Sequence, residues 1–257
     1  MISLAECTAF LDEALATRDV PDYDRALNGL QLANAGEISQ VAAAVDFSGQ
    51  SVAQAVDAGA DLLLVHHGMF WGGAQPIVGA HYERLRLAVT NNLAVYSSHL
   101  PLDLHPRFGN NACLAERLGL EPDSGFGRHR DMEIGVSGAT DLLTDELATR
   151  VRAFAEPLGT HVVCSPHAPQ RRTRRWAIVT GAGASSDVLT EAVSRDVDTL
   201  IVGEGPHHTA VEAVERGLVV MYAGHYATET LGVQAVAAEL ERAFSLPWSF
   251  LHLPTGL

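Results

Sequence analysis

Short, continuously apolar runs rich in Val, Leu and Ile alternate with amphipathic patterns along the whole chain, and this alternation constrains the fold more than any other feature. Strands that are apolar on both faces are typical of a parallel sheet covered by helices on both sides. The runs predict strands at residues 41–46, 61–66, 93–98, 132–137, 161–164, 176–180, 198–203, 218–223 and 248–253. The amphipathic stretches predict helices at residues 4–16, 48–58, 81–91, 110–117, 145–155, 186–194, 209–216 and 227–244. We therefore expect an α/β protein with mostly parallel sheets.

An internal repeat predicts two related, linked α/β halves that face each other across a cleft. Residues 61–65 align with residues 198–202, and residues 95–103 align with residues 221–229. The second pair shares a tyrosine, a histidine three positions later and an acidic residue four positions after that. The alternative is that any two strand–helix segments look alike.

Two stretches lack a regular pattern and predict irregular structure. Residues 121–130 are rich in Gly, Pro and charge, and we interpret them as the junction, so that the halves span residues 1–125 and 126–257. Residues 165–175 contain two prolines and the arginine-rich run from Arg171 to Arg175. This run is interpreted as a solvated loop, with an anion contact or a subunit contact as the alternatives.

Composition and charge exclude several classes of function. The 17 basic residues are all arginine and face 31 acidic residues, which gives a net charge of −14. Such a charge argues against binding a nucleic-acid backbone or an anionic membrane, although one small anion could still bind locally. The cysteines, Cys7, Cys113 and Cys164, have no spacing typical of zinc sites or disulfides, and no apolar run reaches transmembrane length. We therefore expect a cytoplasmic protein with reduced thiols.

Two adjacent histidines, His66 and His67, follow an apolar run and precede Gly68. The carboxyl ends of parallel strands face the ligand crevice of an α/β sheet, so both histidines are candidate metal ligands. Adjacent residues on a regular strand point to opposite faces. The two side chains therefore share a site only if the chain leaves strand geometry near Gly68, or if they bind two different metals.

The repeat places a second group of candidate ligands after two other strands. His225 follows the strand at 218–223, and Glu229 in the first turn of the next helix can reach back toward it. His99 and Asp103 have the same spacing in the first copy. Imidazole and carboxylate ligands together suit first-row divalent metals. Two histidines and an acid from the first copy, with one histidine and one acid from the second, are too many for one catalytic zinc but suit two metals.

Three other features are weaker candidates. Glu204 aligns with His67 in the repeat, and we expect it to support a metal ligand or transfer a proton rather than bind metal. His207 and His208 either contact a substrate or begin a helix. The glycine-rich turn at residues 181–183 could bind phosphate, but it lacks the dinucleotide fingerprint and the P-loop lysine, so a simple turn is favoured.

Taken together, these segments resemble the Nif-three-like family of dinuclear-metal proteins, whose members often carry the name type 2 GTP cyclohydrolase I. The similarity covers nearly the whole chain in order, at residues 28–32, 61–71, 99–103, 180–183, 198–204 and 224–229. It implies two linked α/β halves and a ring-shaped homohexamer. It also implies a dinuclear site with the ligands His66, His67, Asp103, His225 and Glu229. Gly68 departs from the family pattern, in which proline is common at this position.

Two functional hypotheses follow. The first is a hydrolase in which two divalent ions (Zn, Fe, Mn, Co or Ni) activate water against a small phosphate- or nucleotide-like substrate. In this hypothesis His99 and Glu204 are the catalytic candidates, with His99 near the metals but not bound to them. The second is a non-catalytic metal-binding scaffold or regulatory protein of the same family.

Overall fold

A computed structural model describes residues 1–257, and its secondary structure confirms the predicted α/β class. The strands are β1 (Ile2–Ser3), β2 (Gly29–Leu32), β3 (Glu37–Ile38), β4 (Val41–Asp46), β5 (Leu62–His67), β6 (Ala94–Ser97), β7 (Ser124–His129), β8 (Met132–Leu143), β9 (Val163–Cys164), β10 (Arg172–Val179), β11 (Thr199–Val202), β12 (Val219–Tyr222) and β13 (Trp248–Phe250). The helices are α1 (Leu4–Ala14), α2 (Gly49–Asp57), α3 (Gly79–Thr90), α4 (Leu100–Asp103), α5 (Asn110–Leu118), α6 (Thr144–Ala155), α7 (Ser186–Ser194), α8 (His207–Glu215) and α9 (His225–Phe244). None of these helices combines the length and hydrophobicity that a membrane span requires.

The chain forms two compact units. The first unit comprises residues 1–108 and 232–253, and the second comprises residues 109–231 and 254–257. His66, His67 and Asp103 belong to the first unit, whereas His225 and Glu229 belong to the second. That the two units descend from one duplicated half stays a prediction.

The first unit is built on a five-stranded sheet with the order β13-β4-β5-β6-β2. All neighbours are parallel except β2, which runs antiparallel to β6. Alternate residues of the central strands enter two separate clusters: Leu62 and Leu64 pack with α1 and the second half of α9, and Leu63 and Val65 pack with α2 and α3. Burial on both faces explains why this strand is apolar at every position.

The second unit is built on a six-stranded sheet with the order β7-β8-β10-β11-β12-β9. Its centre, β10-β11-β12, is parallel, and antiparallel strands flank it on both sides. Trp176 and Ile178 face α5 and α6, whereas Ala177 and Val179 face α7. The parallel centre matters for function because it carries the ends of β11 and β12 to the same edge of the sheet.

Two predictions of irregular structure were wrong. The stretch 121–130, expected to be irregular, contains β7, which pairs with β8 despite its glycines because Gly125 leaves room for the Glu133 side chain. Within the arginine-rich run, β10 begins at Arg172, four residues before the predicted strand. Arg172 pairs with Asp141 at 2.6 Å and Arg175 with Asp123 at 3.1 Å, so these charges are neutralised along the strand.

The apolar residues of α9 are accounted for within the chain. Val233, Val236 and Leu240 enter the core of the first unit, and Ala227 and Leu231 pack in the core of the second. The strand predicted at residues 248–253 is present as the shorter β13, at the end of the first sheet beside β4. The predicted homohexamer therefore depends on the family resemblance and not on an uncovered face of α9.

Candidate metal centre

His66 and His67 are the last two residues of β5, and both are buried. Beyond Val65 the strand is paired only with β4, because β6 ends at Ser97. The two imidazole rings have centroids 4.7 Å apart, so both side chains reach one site at the carboxyl edge of the sheet. The pairing with β4 continues through His67, so the two rings come together while both residues are still within β5.

His99 joins this pair from the next strand end. Its ring centroid lies 4.9 Å from that of His66 and 5.7 Å from that of His67. Ligand nitrogens of the three histidines lie within 4.8 Å of one another, and all three residues are buried. We name His66, His67 and His99 the histidine cluster.

Each histidine of the cluster is anchored through Nδ1. His66 Nδ1 lies 2.9 Å from the carbonyl oxygen of Ser98, and His67 Nδ1 lies 2.9 Å from a carboxylate oxygen of Asp46. His99 Nδ1 lies 2.9 Å from Asp22. A carbonyl or ionised carboxylate can only accept, so each Nδ1 carries the proton and donates it. This leaves the lone pair on Nε2, which is how metal-binding histidines are usually held.

Asp22 is the most heavily hydrogen-bonded of these anchors. Its carboxylate also accepts from the backbone N–H of Leu100 at 2.8 Å and from the Asn28 side chain at 2.8 Å. Burial raises the pKa of Asp22, but the hydrogen bond and charge of His99, together with these donors, outweigh burial and lower the pKa to about 2. Asp22 is therefore ionised at neutral pH and accepts the Nδ1–H of His99 as a carboxylate.

Asp103 completes the donors of the first unit. It is the last residue of the short helix α4, which follows directly after His99. One of its carboxylate oxygens lies 3.6 Å from His66 Nε2, and its side chain is only 11% exposed. A carboxylate this close to an imidazole lone pair is the arrangement expected of two ligands of one metal ion.

Gln31, in β2, fixes the loop that follows the two adjacent histidines. Its side-chain oxygen accepts from Met69 N at 2.6 Å, while its amide donates to the carbonyls of Ala26 and Leu27. A side chain at position 68 would place its Cβ 2.3 Å from that oxygen. Gly68 is thus required by a close approach, and a proline here would displace the glutamine from its three hydrogen bonds.

The second unit carries a smaller donor set at the start of α9. His225 Nε2 lies 3.1 Å from a carboxylate oxygen of Glu229, one helical turn later. His225 Nδ1 donates to Glu204 at 2.8 Å, so this ring is oriented in the same way as the histidine cluster. Burial lowers the pKa of His225, but the hydrogen bonds and charges of Glu229 and Glu204 outweigh it and raise the pKa to about 9.

Gly181 provides the space that this donor set needs. It adopts a left-handed backbone conformation with φ +62°, and a Cβ there would lie 2.2 Å from Glu229 Oε1 and 3.3 Å from His225 Nε2. The glycine-rich turn is a tight turn, as favoured from the sequence, with Gly183 N bonded to the Gly181 carbonyl at 2.8 Å. Because Gly181 has no Cβ, the space beside Glu229 Oε1 and His225 Nε2 is not filled by a side chain at this position.

Other predicted residues lie outside these donor sets, and some important residues escaped prediction. His207 and His208 are exposed and begin α8 after Pro206, which confirms the helix-start interpretation.

Asp22 and Asp46 were not predicted. Asp46 ends the strand beside β5 and pairs in register with His67, so strand pairing could have revealed it, whereas Asp22 lies outside regular secondary structure and gives no such signal.

Both donor sets have the chemistry that a divalent transition metal requires. They offer imidazole nitrogens and carboxylate oxygens at buried or half-buried positions, and the absence of a side chain at Gly181 leaves space beside Glu229. The structure therefore contains histidine and acidic groups that could hold a metal ion. The individual roles of the ligand and catalytic candidates stay predictions.

Comparison with known proteins agrees with this description. The model of the family Duf34/NIF3 (NGG1p interacting factor 3) matches residues 2–254. A protein of Deinococcus radiodurans named GTP cyclohydrolase 1 type 2 homolog is 40% identical over 255 residues, which cover 98% of this chain and 94% of that protein. A protein of Halobacterium salinarum with the same name is 41% identical, over 93% of this chain and 94% of its own length.

Solved structures show the same fold. The protein ybgI, described as of unknown function, superposes with a TM-score of 0.88 at 32% identity, and the match covers 100% of both chains. A protein of Thermus thermophilus superposes with a TM-score of 0.85 at 36% identity, again over 100% of both chains. Since the family model spans nearly every residue and the relatives match along their whole length, the chain belongs to the Duf34/NIF3 family.

Proposed function

We propose that the protein is a metal-dependent hydrolase that acts on a small phosphate- or nucleotide-like substrate. In this proposal two divalent ions are held by His66, His67, Asp103, His225 and Glu229. When bound, such ions lower the pKa of water and neutralise an anionic oxygen of the substrate. The name of the relatives, GTP cyclohydrolase 1 type 2 homolog, supports a nucleotide-like substrate class.

The observation that carries the proposal is the shared orientation of four histidines. In each of them Nδ1 donates to an oxygen, at 2.8 to 2.9 Å, so that the Nε2 edge of the ring is directed away from that anchor. Three of the four acceptors are carboxylates. Metal-binding histidines are usually held in this way, with one ring nitrogen hydrogen-bonded to a carboxylate or a carbonyl and the other directed at the metal.

The number of donors supports one shared dinuclear centre. His225 and Glu229 alone supply two ligands, fewer than the three protein ligands usual for a catalytic zinc. The first unit supplies His66, His67 and Asp103. We therefore propose that both sets serve the same pair of ions, with the acidic residues offsetting part of the positive charge.

His99 is the proposed proton carrier. Its Nδ1 is fixed by an ionised Asp22, so its Nε2 can accept a proton while the carboxylate stabilises the imidazolium that results. A carboxylate behind a histidine plays this part in many hydrolases. Glu204 has the corresponding position behind His225 and acts as a positioning residue.

Metal analysis followed by a hydrolysis screen tests the proposal. The protein is loaded in turn with Zn, Mn, Fe, Co or Ni, bound metal is measured by mass spectrometry, and phosphoesters, nucleotides and cyclic amidines are screened. We expect about two ions per chain, the stoichiometry of two-metal sites, and turnover that depends on them. Asp103→Asn should lose metal and turnover, whereas His208→Ala, at an exposed histidine outside the donor sets, should change neither.

Two results would contradict the proposal. Wild-type protein that binds no transition metal would remove its basis. Full metal loading without turnover of any substrate class would instead favour the non-catalytic scaffold or regulatory protein as the function.

A further inference from the structure

A cavity of about 290 Å³ lies in the first unit beside the loop that follows His67. Its walls include the loop residues Gly68 and Trp71 and the side chains of Phe47, His81 and Arg84. The volume is many times the ~30 Å³ that one water molecule occupies in the liquid, so the cavity can take part of a small molecule.

Two buried nitrogen atoms of the cavity wall have no hydrogen-bond partner. They are Nε of Arg84 and Nδ1 of His81, on consecutive turns of α3. Arg84 stacks over the Phe47 ring at 5.4 Å, which holds the guanidinium in place without neutralising it. Buried polar groups in folded proteins are normally hydrogen-bonded, so a pair of such groups in one cavity calls for a ligand.

The charge of these walls contrasts with that of the whole protein. The chain carries a net charge of −14, yet the residues that line this cavity include an arginine and a histidine and no carboxylate. Other arginines, such as Arg86 on the same helix, form ion pairs with acidic neighbours. An arginine kept away from carboxylates in an acidic protein is suited to an external anion.

Trp71 connects the cavity with the histidine cluster. It lines the cavity, and its ring centroid lies 4.8 Å from that of His67 and 4.5 Å from that of His99. An anionic group in the cavity would thus lie one side chain away from the candidate metal ligands. This distance fits a single substrate with one group in the cavity and another at the histidines.

We propose that this cavity is an anion subsite, in which Arg84 and His81 bind a phosphoryl group of the substrate. Arginine offers Nε–H and terminal N–H donors in a fork that matches two oxygens of a phosphoryl group, and the imidazole of His81 can supply another donor. The inference rests on the proposed function, because it names the part of the hydrolase substrate that does not react.

Binding of inorganic phosphate and pyrophosphate to metal-free protein tests the subsite separately from catalysis. The full chain is stripped of metal by a chelating resin and titrated by calorimetry with phosphate, pyrophosphate or acetate. We expect wild-type protein to bind pyrophosphate, and Arg84→Gln to weaken that binding about tenfold or more, the range for loss of one charge-assisted hydrogen bond. Arg84→Lys, which keeps the charge but not the fork, should lose less.

Arg86→Gln is the matched control. Arg86 lies on the same helix with its side chain 49% exposed and paired with Glu83, so its loss changes the net charge equally without touching the cavity. Thermal melting of each variant shows whether the contact of Arg84 with Phe47 matters for folding. If Arg84→Gln does not fold, Arg84→Lys and His81→Ala provide the same comparison.

The outcomes separate the two proposals. Unchanged pyrophosphate affinity in folded Arg84 variants, or an equal loss in Arg86→Gln, overturns the subsite and leaves the hydrolase proposal standing. Acetate binding as tightly as pyrophosphate overturns the phosphoryl assignment. Loss confined to the Arg84 variants supports the subsite even if the metal-loaded protein hydrolyses nothing in the screen.

Discussion

Replacing Asp22 by asparagine tests the anchoring of the histidine cluster. The carboxylate accepts from Tyr23 N at 2.7 Å, Asn28 Nδ2 and Leu100 N at 2.8 Å, and His99 Nδ1 at 2.9 Å. An amide keeps only one of the two accepting oxygens, so at least two of these donors would then face an N–H₂ group. At ~1–3 kcal/mol for each buried donor left unsatisfied, two such donors should lower the free energy of unfolding by about 2–6 kcal/mol.

Urea denaturation of the metal-free protein measures this loss, and pH provides a second readout. The pKa of Asp22 is lowered to about 2, so its ionisation stabilises the fold above the ordinary value of 3.8 and this contribution is lost as pH falls through about 2. The difference between wild type and Asp22→Asn should therefore be constant near neutral pH and narrow below pH ~4.

Asp24→Asn is the control for this prediction, because Asp24 is an exposed acid two residues away. Its replacement should change the free energy of unfolding by about 0.5 kcal/mol or less. If Asp22→Asn is as stable as this control at pH 7, the reasoning about the anchored carboxylate is wrong. A difference that does not narrow in acid would show that the loss comes from packing and not from charge.

Three further predictions concern the second donor set, the proton carrier and the assembly. Gly181→Ala would place a methyl group 2.2 Å from Glu229 Oε1 and should lower bound metal, whereas Gly217→Ala, at φ +71° with no atom within 4 Å, carries a similar backbone cost and should keep it. Equal metal content in both variants would contradict the crowding argument. His99→Ala should retain metal while turnover falls by about 10²–10⁴-fold, and metal loss on this replacement would make His99 a ligand. Sedimentation in dilute solution should show the homohexamer proposed from the family, and a stable monomer would refute it.

The sequence predicts those parts of the candidate site that depend on local pattern. Apolar runs reveal the strands, and the position of His66 and His67 at the end of one run reveals the edge of the sheet where ligands gather. The spacing from His225 to Glu229 is one helical turn, so their proximity at 3.1 Å could be expected before the structure was known. These features need only the period of a strand and of a helix.

Contacts between segments far apart in the chain could not be predicted in the same way. Asp22 contacts His99 across 77 positions, and Gln31 contacts Met69 across 38. The glycines of the stretch 121–130 are typical of a loop, but in the fold Gly125 accommodates the side chain of Glu133 on the neighbouring strand. Tertiary packing decides such positions, and a single sequence contains no periodic signal for it.

The anchoring of the histidines has a consequence for how these proteins can evolve. Three of the four histidines are held by a side-chain carboxylate, so a single substitution of that acid removes the hydrogen bond that orients the ring. Relatives that lose one of these acids should show compensating changes at the histidine it holds. His66 differs, because its partner is the main-chain carbonyl of Ser98. No substitution at Ser98 removes that oxygen, so the orientation of His66 is the least sensitive of the four to mutation of its hydrogen-bond partner.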